Sequence, residues 1–317
     1  MSADAAVRPG LTGTGPAGTG AANTGAANTG TRKGDTGPGA SGRPAPLRRA
    51  ARLLLRAAEL LWLPVLLFAG WEVGARLWES PFVPPASEIA AHAGEIWFSG
   101  DAGSLFLSDL FTRHVPTSLS RGAQGWLAAV VVGVLGGLVL GQSRWLREMF
   151  GPVLRFGMSV PTSALLPLAL TLFGITDQMN TSLIAFGCLW TVLVNTMDGV
   201  STLDRTMVMT ARSMRIRGWR YQLRFVLPAA SPQIFAGLRV SLGLAFILMV
   251  FGELFAATRG IGHFVSAADR QFRYLDMWAG IALIAVLGLL VNGLYSLAEG
   301  RLLRWHRGMR RHTSQAG

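Results

Sequence analysis

The chain has 317 residues, half of them hydrophobic and only 15% charged, a balance too apolar for a soluble domain of this length and expected of a protein with several membrane spans. Its net charge of +12 does not point to nucleic acid, because the basic residues flank apolar stretches and no zinc-finger or RNA-binding spacing accompanies them. A single cysteine, Cys188, excludes an intrachain disulfide and gives no basis for a cysteine metal site.

From Met1 to about Pro46 the chain is Gly, Ala, Thr, Asn and Pro, with the tandem GAANTGAANTG. Such a stretch has almost nothing to bury, so residues 1–56 are expected to form a disordered cytoplasmic tail, without the short apolar core of a secretory signal. Lys33, the only lysine, follows Arg32 and lies in no Gly-Lys-Ser/Thr motif, so the chain has no Walker A site. Any ATP chemistry must sit on another chain. Arg48, Arg49, Arg52 and Arg56 then precede the first span and hold it to the cytoplasm.

Six apolar stretches follow over residues 57–300, each close to the 20 residues that cross a bilayer. They run roughly over Ala57–Leu77, Gly122–Gly141, Pro152–Phe173, Thr181–Val200, Ile234–Ala257 and Met277–Leu297. The glycines of the second suit close helix contact. Pro161 and Pro167 break the third. The fold class is therefore an all-α membrane bundle of about six helices, the architecture that satisfies every backbone group inside lipid.

Charge sets the topology. Residues 79–109 carry Glu79, Glu88, Glu95, Asp101 and Asp109 and no Lys or Arg, so they face outside. Arg144 and Arg147 are placed in a short inner loop. Arg205, Arg212, Arg215, Arg217, Arg220 and Arg224 form a second, longer one, and Arg301 to Arg311 close the chain in a basic cytoplasmic tail, 301–317. Both termini then lie in the cytoplasm of a multi-pass plasma (inner) membrane protein. Arg113, Arg121, Arg259, Arg270 and Arg273 are exceptions on the outer side.

The inner loop 205–228 is the most informative element. A loop so rich in arginine cannot sit in lipid, and the helix after it cannot sit in water, so a charged element is held where another protein can push on it. Gly218 is a natural helix stop, and Pro228 ends a helical stretch. Two short helices at an angle are expected, Arg205–Arg217 and Trp219–Val226, before the fifth span begins.

This loop resembles the EAA loop of binding-protein-dependent ABC importer permeases, most of all the nitrate, sulfonate and taurine group. Ala211, Arg212, Trp219, Leu227 and Pro228 stand in matching places. So do AGLRVSLGLAF (Ala236–Phe246), GELFAATRGIGHFVSAA (Gly252–Ala268), SVPTSALLPLALTLFGI (Ser159–Ile175) and SPFVPPASEI (Ser80–Ile89). Met209 replaces the family's glutamate, Thr210 its first alanine and Arg215 its glycine, with Gly218 able to supply the turn instead. The resemblance implies a type I ABC importer permease-like bundle. It implies a cytoplasmic ABC ATPase subunit gripping the loop, an extracytoplasmic solute-binding protein, and a second permease subunit, in a homodimer or a heterodimer, the homodimer being favoured. No cofactor and no covalent chemistry on this chain are implied, so the chain is not itself an enzyme. A small anion such as a sulfonate or nitrate is the favoured solute.

Polar groups within the spans are candidates for the solute path: Ser159, Thr162 and Ser163 around the carbonyl freed by Pro161, Asn195 near the end of the fourth span, and Glu253 in the fifth. A secondary transporter or channel not coupled to ATP is the alternative. Only Glu253 would serve its ion coupling, and the arginine-rich loop would be left without a role. A membrane enzyme would need a metal cluster, nucleophile elbow or paired acids, and the sequence offers none of these.

Overall fold

The computed structural model describes residues 46–101, 103, 106–203, 209, 213, 214, 216 and 218–302, with the side chains of residues 46–58, 60 and 61 outside that description. The chain divides between Glu59 and Leu60 into two units, and the bundle belongs to the second. Residues 1–45 and 303–317, which hold most of the two expected tails, lie outside the described residues.

Among the described residues every element is helical. They are α1 (Pro46–Trp78), α2 (Ala86–Trp97), α3 (Asp109–Gln142), α4 (Arg144–Ser159), α5 (Leu166–Phe173), α6 (Asp177–Ser201), α7 (Trp219–Ala256), α8 (Ile261–Arg270) and α9 (Tyr274–Leu302). Four of them, α3, α6, α7 and α9, are long and apolar enough to cross a membrane, and a fifth span forms if α4 and α5 count as one bent unit. Of the expected six spans, four or five are found by length and apolarity among the described residues, and the first, Ala57–Leu77 in α1, begins on residues whose side chains lie outside the description.

α6 is sandwiched between α3 and α7. On the α3 side a glycine ladder makes the contact. A Cβ at Gly133, Gly137 or Gly141 would fall 2.9, 2.5 or 2.6 Å from the Cβ of Val192, Thr196 or Val200. Lipid tails are as apolar as leucine, so helices in a membrane gain from close backbone approach and not from hiding apolar area, and small residues permit that approach. On the α7 side Gly237 lies against Asn195 and Gly252 against Asn180 in the same way. α9 buries only Ala279, Gly280, Leu283 and Leu287, all in the half that packs on α8 and α2.

Three sequence expectations are corrected. Arg144 and Arg147 are not in a loop: they occupy the first turn of α4. The link from α3 is the single residue Ser143, whose hydroxyl accepts from the Leu146 N–H and starts the new helix. The third span breaks once and not twice. Val160 is extended, as a residue before proline must be, and Pro161 cannot continue the ladder, so α4 bends 82° into the 3-10 turn Thr162–Leu165 and α5. Pro167 sits in the first turn of α5, where its missing N–H has no intrahelical bond to lose. Lastly, Pro228 does not end a helix. The chain from Trp219 to Ala256 is one helix of 38 residues. Gln222–Val226 widens into a π-turn, which moves the carbonyl register and makes room for the proline ring.

The segment after α1 folds back as α2. Trp97 of α2 is 1% exposed, and its indole N–H donates to the Ala279 carbonyl at 3.2 Å. His92 Nε2 lies 2.6 Å from Asp276 at the start of α9.

Candidate functional site

The functional candidates fall into three groups along the length of α7. The first is at its N-terminal end. Gly218 has φ +63, a left-handed value that a side chain would strain, and it turns the chain into Trp219. Val226 is buried, and Leu227 and Pro228 follow the π-turn directly. Gln222 donates to Gln142 at 2.7 Å, tying this turn to the end of α3. A cleft of about 520 Å³ lies between them, lined by Gly141, Arg147, Leu203, Ile216, Gly218 and Tyr221 among others. Met209, Met214 and Trp219 are 63–65% exposed. Thr210, Ala211, Arg212 and Arg215, and most of the expected Arg205–Arg217 helix, lie outside the described residues.

The second group surrounds the bend between α4 and α5. Ser159 spends its hydroxyl on the Arg155 carbonyl at 2.7 Å. Pro161 and Ser163 are exposed, and Thr162 is half-buried against Gly187 of α6. Asn195 lies apart from them. It donates to the Thr191 carbonyl at 2.8 Å, accepts from Gln233 of α7 at 3.3 Å, and presses on Gly237. Its contacts join α6 to α7.

The third group is at the C-terminal end of α7, and its extent was not read from sequence. Glu253 is 1% exposed, and both oxygens are engaged. Oε1 accepts from Arg121 Nη1 at 3.0 Å, and Oε2 accepts from Ser118 Oγ at 2.7 Å and from the Gly262 N–H at 3.0 Å. Arg121 also donates from Nε to Asp177 at 2.8 Å, from Nη2 to the same oxygen, and from Nη1 to the Arg259 carbonyl at 2.7 Å. Ser118 accepts in turn from the Ile261 N–H at 2.8 Å, and His114 Nδ1 lies 3.0 Å from the Gly260 carbonyl. Gly260, at φ +119, comes so close that a Cβ there would fall 2.3 Å from the Glu253 carboxyl carbon. Four elements, α3, α6, α7 and α8, are thereby pinned by one buried acid and one buried base. A carboxylate in an apolar span is costly unless paired and hydrogen-bonded, and this one is both. The signal available in the sequence was Arg121 itself, a base on the face that the charge rule leaves without bases, 132 residues from its partner.

A smaller tie, also unread from sequence, holds α9 to α7 nearer the loop. Arg239 meets Glu299 at 3.2 Å and Ser296 at 3.1 Å, and the Tyr295 hydroxyl donates to the Phe235 carbonyl at 2.8 Å.

A bundle of helices long and apolar enough to cross a membrane, packed on glycines and tied by a buried acid and base, has the build of an integral membrane protein. Residues 129–304 match the model of the binding-protein-dependent transport system inner membrane component family, and the chain belongs to that family. It is the membrane-spanning subunit of an importer of this kind, which works with a binding protein and hydrolyses ATP on a separate subunit. It is 32% identical over 249 residues to a Bacillus subtilis (strain 168) protein provisionally named as the aliphatic sulfonates transport permease SsuC, covering 77% of this chain and 86% of that one. It is 32% identical over 246 residues to the taurine transport system permease protein TauC of Escherichia coli (strain K12), covering 77% and 88%. The bicarbonate transport system permease protein CmpB of Synechococcus elongatus is 31% identical over 188 residues, covering 59% and 68%. Among solved structures, an inward-facing MetNI methionine ABC transporter chain superposes with a TM-score of 0.54 at 18% identity, over 62% of this chain and 98% of that one, a likeness of fold.

Proposed function

We propose that this permease moves a small oxyanion, a sulfonate or a chemically similar solute, into the cytoplasm. It does so as one half of a homodimer in the plasma membrane, with both termini inside. The relatives named for sulfonates, taurine and bicarbonate support this solute class. Loop 205–228 is the surface gripped by the ATPase, with Met209, Thr210, Ala211, Arg212, Arg215, Gly218 and Trp219 at the contact. α2 and α8, at the clamp end, face the binding protein.

The observation that carries this reading is the continuity of α7. At 1.5 Å per residue its 38 residues span about 57 Å, longer than the hydrocarbon core of a bilayer. ATP-driven closure of the ATPases moves the loop. The rigid helix carries that displacement past Asn195 to Glu253, where the clamp moves α3, α6 and α8 with it. The bend at Pro161, Thr162 and Ser163 is where polar backbone and hydroxyls face the path, because irregular backbone at membrane depth persists only in protein or beside a water-filled cavity. Asn195 and Glu253 hold the helices that form the path. The test is uptake of labelled taurine or ethanesulfonate into proteoliposomes holding the permease, its ATPase and its binding protein. Uptake should need ATP hydrolysis and should be lost in Ala211→Trp together with ATPase co-purification. Uptake that persists in that variant refutes loop docking.

A further inference from the structure

One cluster of charge is absorbed neither by the loop nor by the clamp. α4 has two distinct free faces. Trp145, Met149, Val153 and Phe156, spaced four, four and three residues apart, form an apolar stripe 48–71% exposed. Beside it lie Arg144, Glu148, Gly151 and Arg155, spaced four, three and four residues apart, with Arg147 flanking them. Arg144, Arg147 and Arg155 line a cavity of about 680 Å³ whose far wall is Met197 and Asp198 of α6. Glu148 is already paired with Arg144 at 2.8 Å. Neither Arg147 nor Arg155 has an ion-pair partner among the described residues. Arg147 Nε is buried with no hydrogen-bond partner, and the Arg155 guanidinium lies over Gly151. A buried guanidinium N–H left without an acceptor is costly, and none of the described residues accepts from this one.

We propose that this cavity is a binding site for the phosphate of an acidic phospholipid, with phosphatidylglycerol as the committed occupant. Arg147 and Arg155 take the phosphate, Asp198 accepts from the headgroup hydroxyls, and the acyl chains lie along Trp145, Met149, Val153 and Phe156. A basic face next to an aromatic and aliphatic face on one helix is the pattern of an element seated in the headgroup layer of an acidic leaflet. The 82° bend that follows α4 turns it away from the line of α5, as such a seat requires. The proposal rests on the reading that the loop end of the bundle is cytoplasmic. The binding test below does not depend on sidedness or on transport, so the two can fail separately.

The experiment is native mass spectrometry of the full-length permease, carried in detergent with mixed phosphatidylglycerol and phosphatidylethanolamine of matched chains. The wild type should retain phosphatidylglycerol preferentially. Arg147→Gln/Arg155→Gln should lower that preference by about 30-fold, two cations near an acidic headgroup each contributing about fivefold. Arg147→Lys/Arg155→Lys should keep most of it, which separates loss of charge from loss of fold. Arg301→Gln, a charge change on α9, should leave it unchanged. An undiminished preference in the double glutamine variant overturns the site. Displacement of the lipid by millimolar inorganic phosphate or ethanesulfonate overturns the lipid assignment and makes the cavity a site for free oxyanions.

Discussion

Removing Arg121 should unlock the clamp, and removing the charge of Glu253 as well should largely restore it. In Arg121→Met the Glu253 carboxylate, fully buried in a pair whose arginine side chain is 6% exposed, keeps Ser118 and the Gly262 N–H but loses its only cation. Breaking a buried pair from one side costs about 3–5 kcal/mol. The companion bridge to Asp177, whose side chain is 74% exposed, contributes little beside that. At about 2–4 °C per kcal/mol for a chain of this size, the midpoint of thermal unfolding of the purified permease should fall by roughly 6–20 °C. Adding Glu253→Gln removes the buried charge while its carbonyl still accepts from Ser118 and Gly262. The double variant should therefore be more stable than Arg121→Met alone. Differential scanning fluorimetry in one detergent on wild type, both single variants and the double decides it. An Arg121→Met midpoint within about 2 °C of wild type, or a double that falls below the arginine variant, refutes the clamp as the element that pins these four helices.

Other consequences follow from close packing. Gly260→Ala would place a methyl 2.3 Å from the Glu253 carboxyl carbon at a strained φ, and Gly252→Ala one 2.1 Å from Asn180 Oδ1; both should abolish recovery of folded protein, while Gly243→Ala, with nothing within 4 Å, should express normally by size-exclusion profile. Gly137→Val should separate α3 from α6 and destabilise the fold by about 1–3 kcal/mol, as overpacked cores do, read as a fall in the midpoint of thermal unfolding. Cys188, the only thiol in the chain and 0% exposed, should resist a maleimide in detergent and react fully after denaturation in SDS; fast labelling of the native protein would show that the α6 core is not closed.

Much of this architecture is written locally. The glycines of α3, the break at Pro161 and the turn at Gly218 act through the conformation of their own few residues, and the structure realises each of them. The features that escaped are those where one part of the chain answers another. Arg144 and Arg147 read as loop residues because charge near a span end has two readings, and the capping of α4 by Ser143 decides between them. Pro228 reads as a stop, yet a π-turn absorbs it because the helix continues into a packed span. The clamp depends on Arg121 and Glu253 meeting across three helices, which no local pattern reports. Glu253, a candidate for the solute path by its cost alone, is enclosed by protein on every bonded side.

We propose that force entering at the loop drives the solute path. Proteoliposomes containing the permease, its ATPase and its binding protein, loaded with ATP and given labelled taurine, measure it directly. Uptake should stop with a non-hydrolysable nucleotide and stop equally in Ala211→Trp. Taurine accumulation by the permease reconstituted without the ATPase would contradict it.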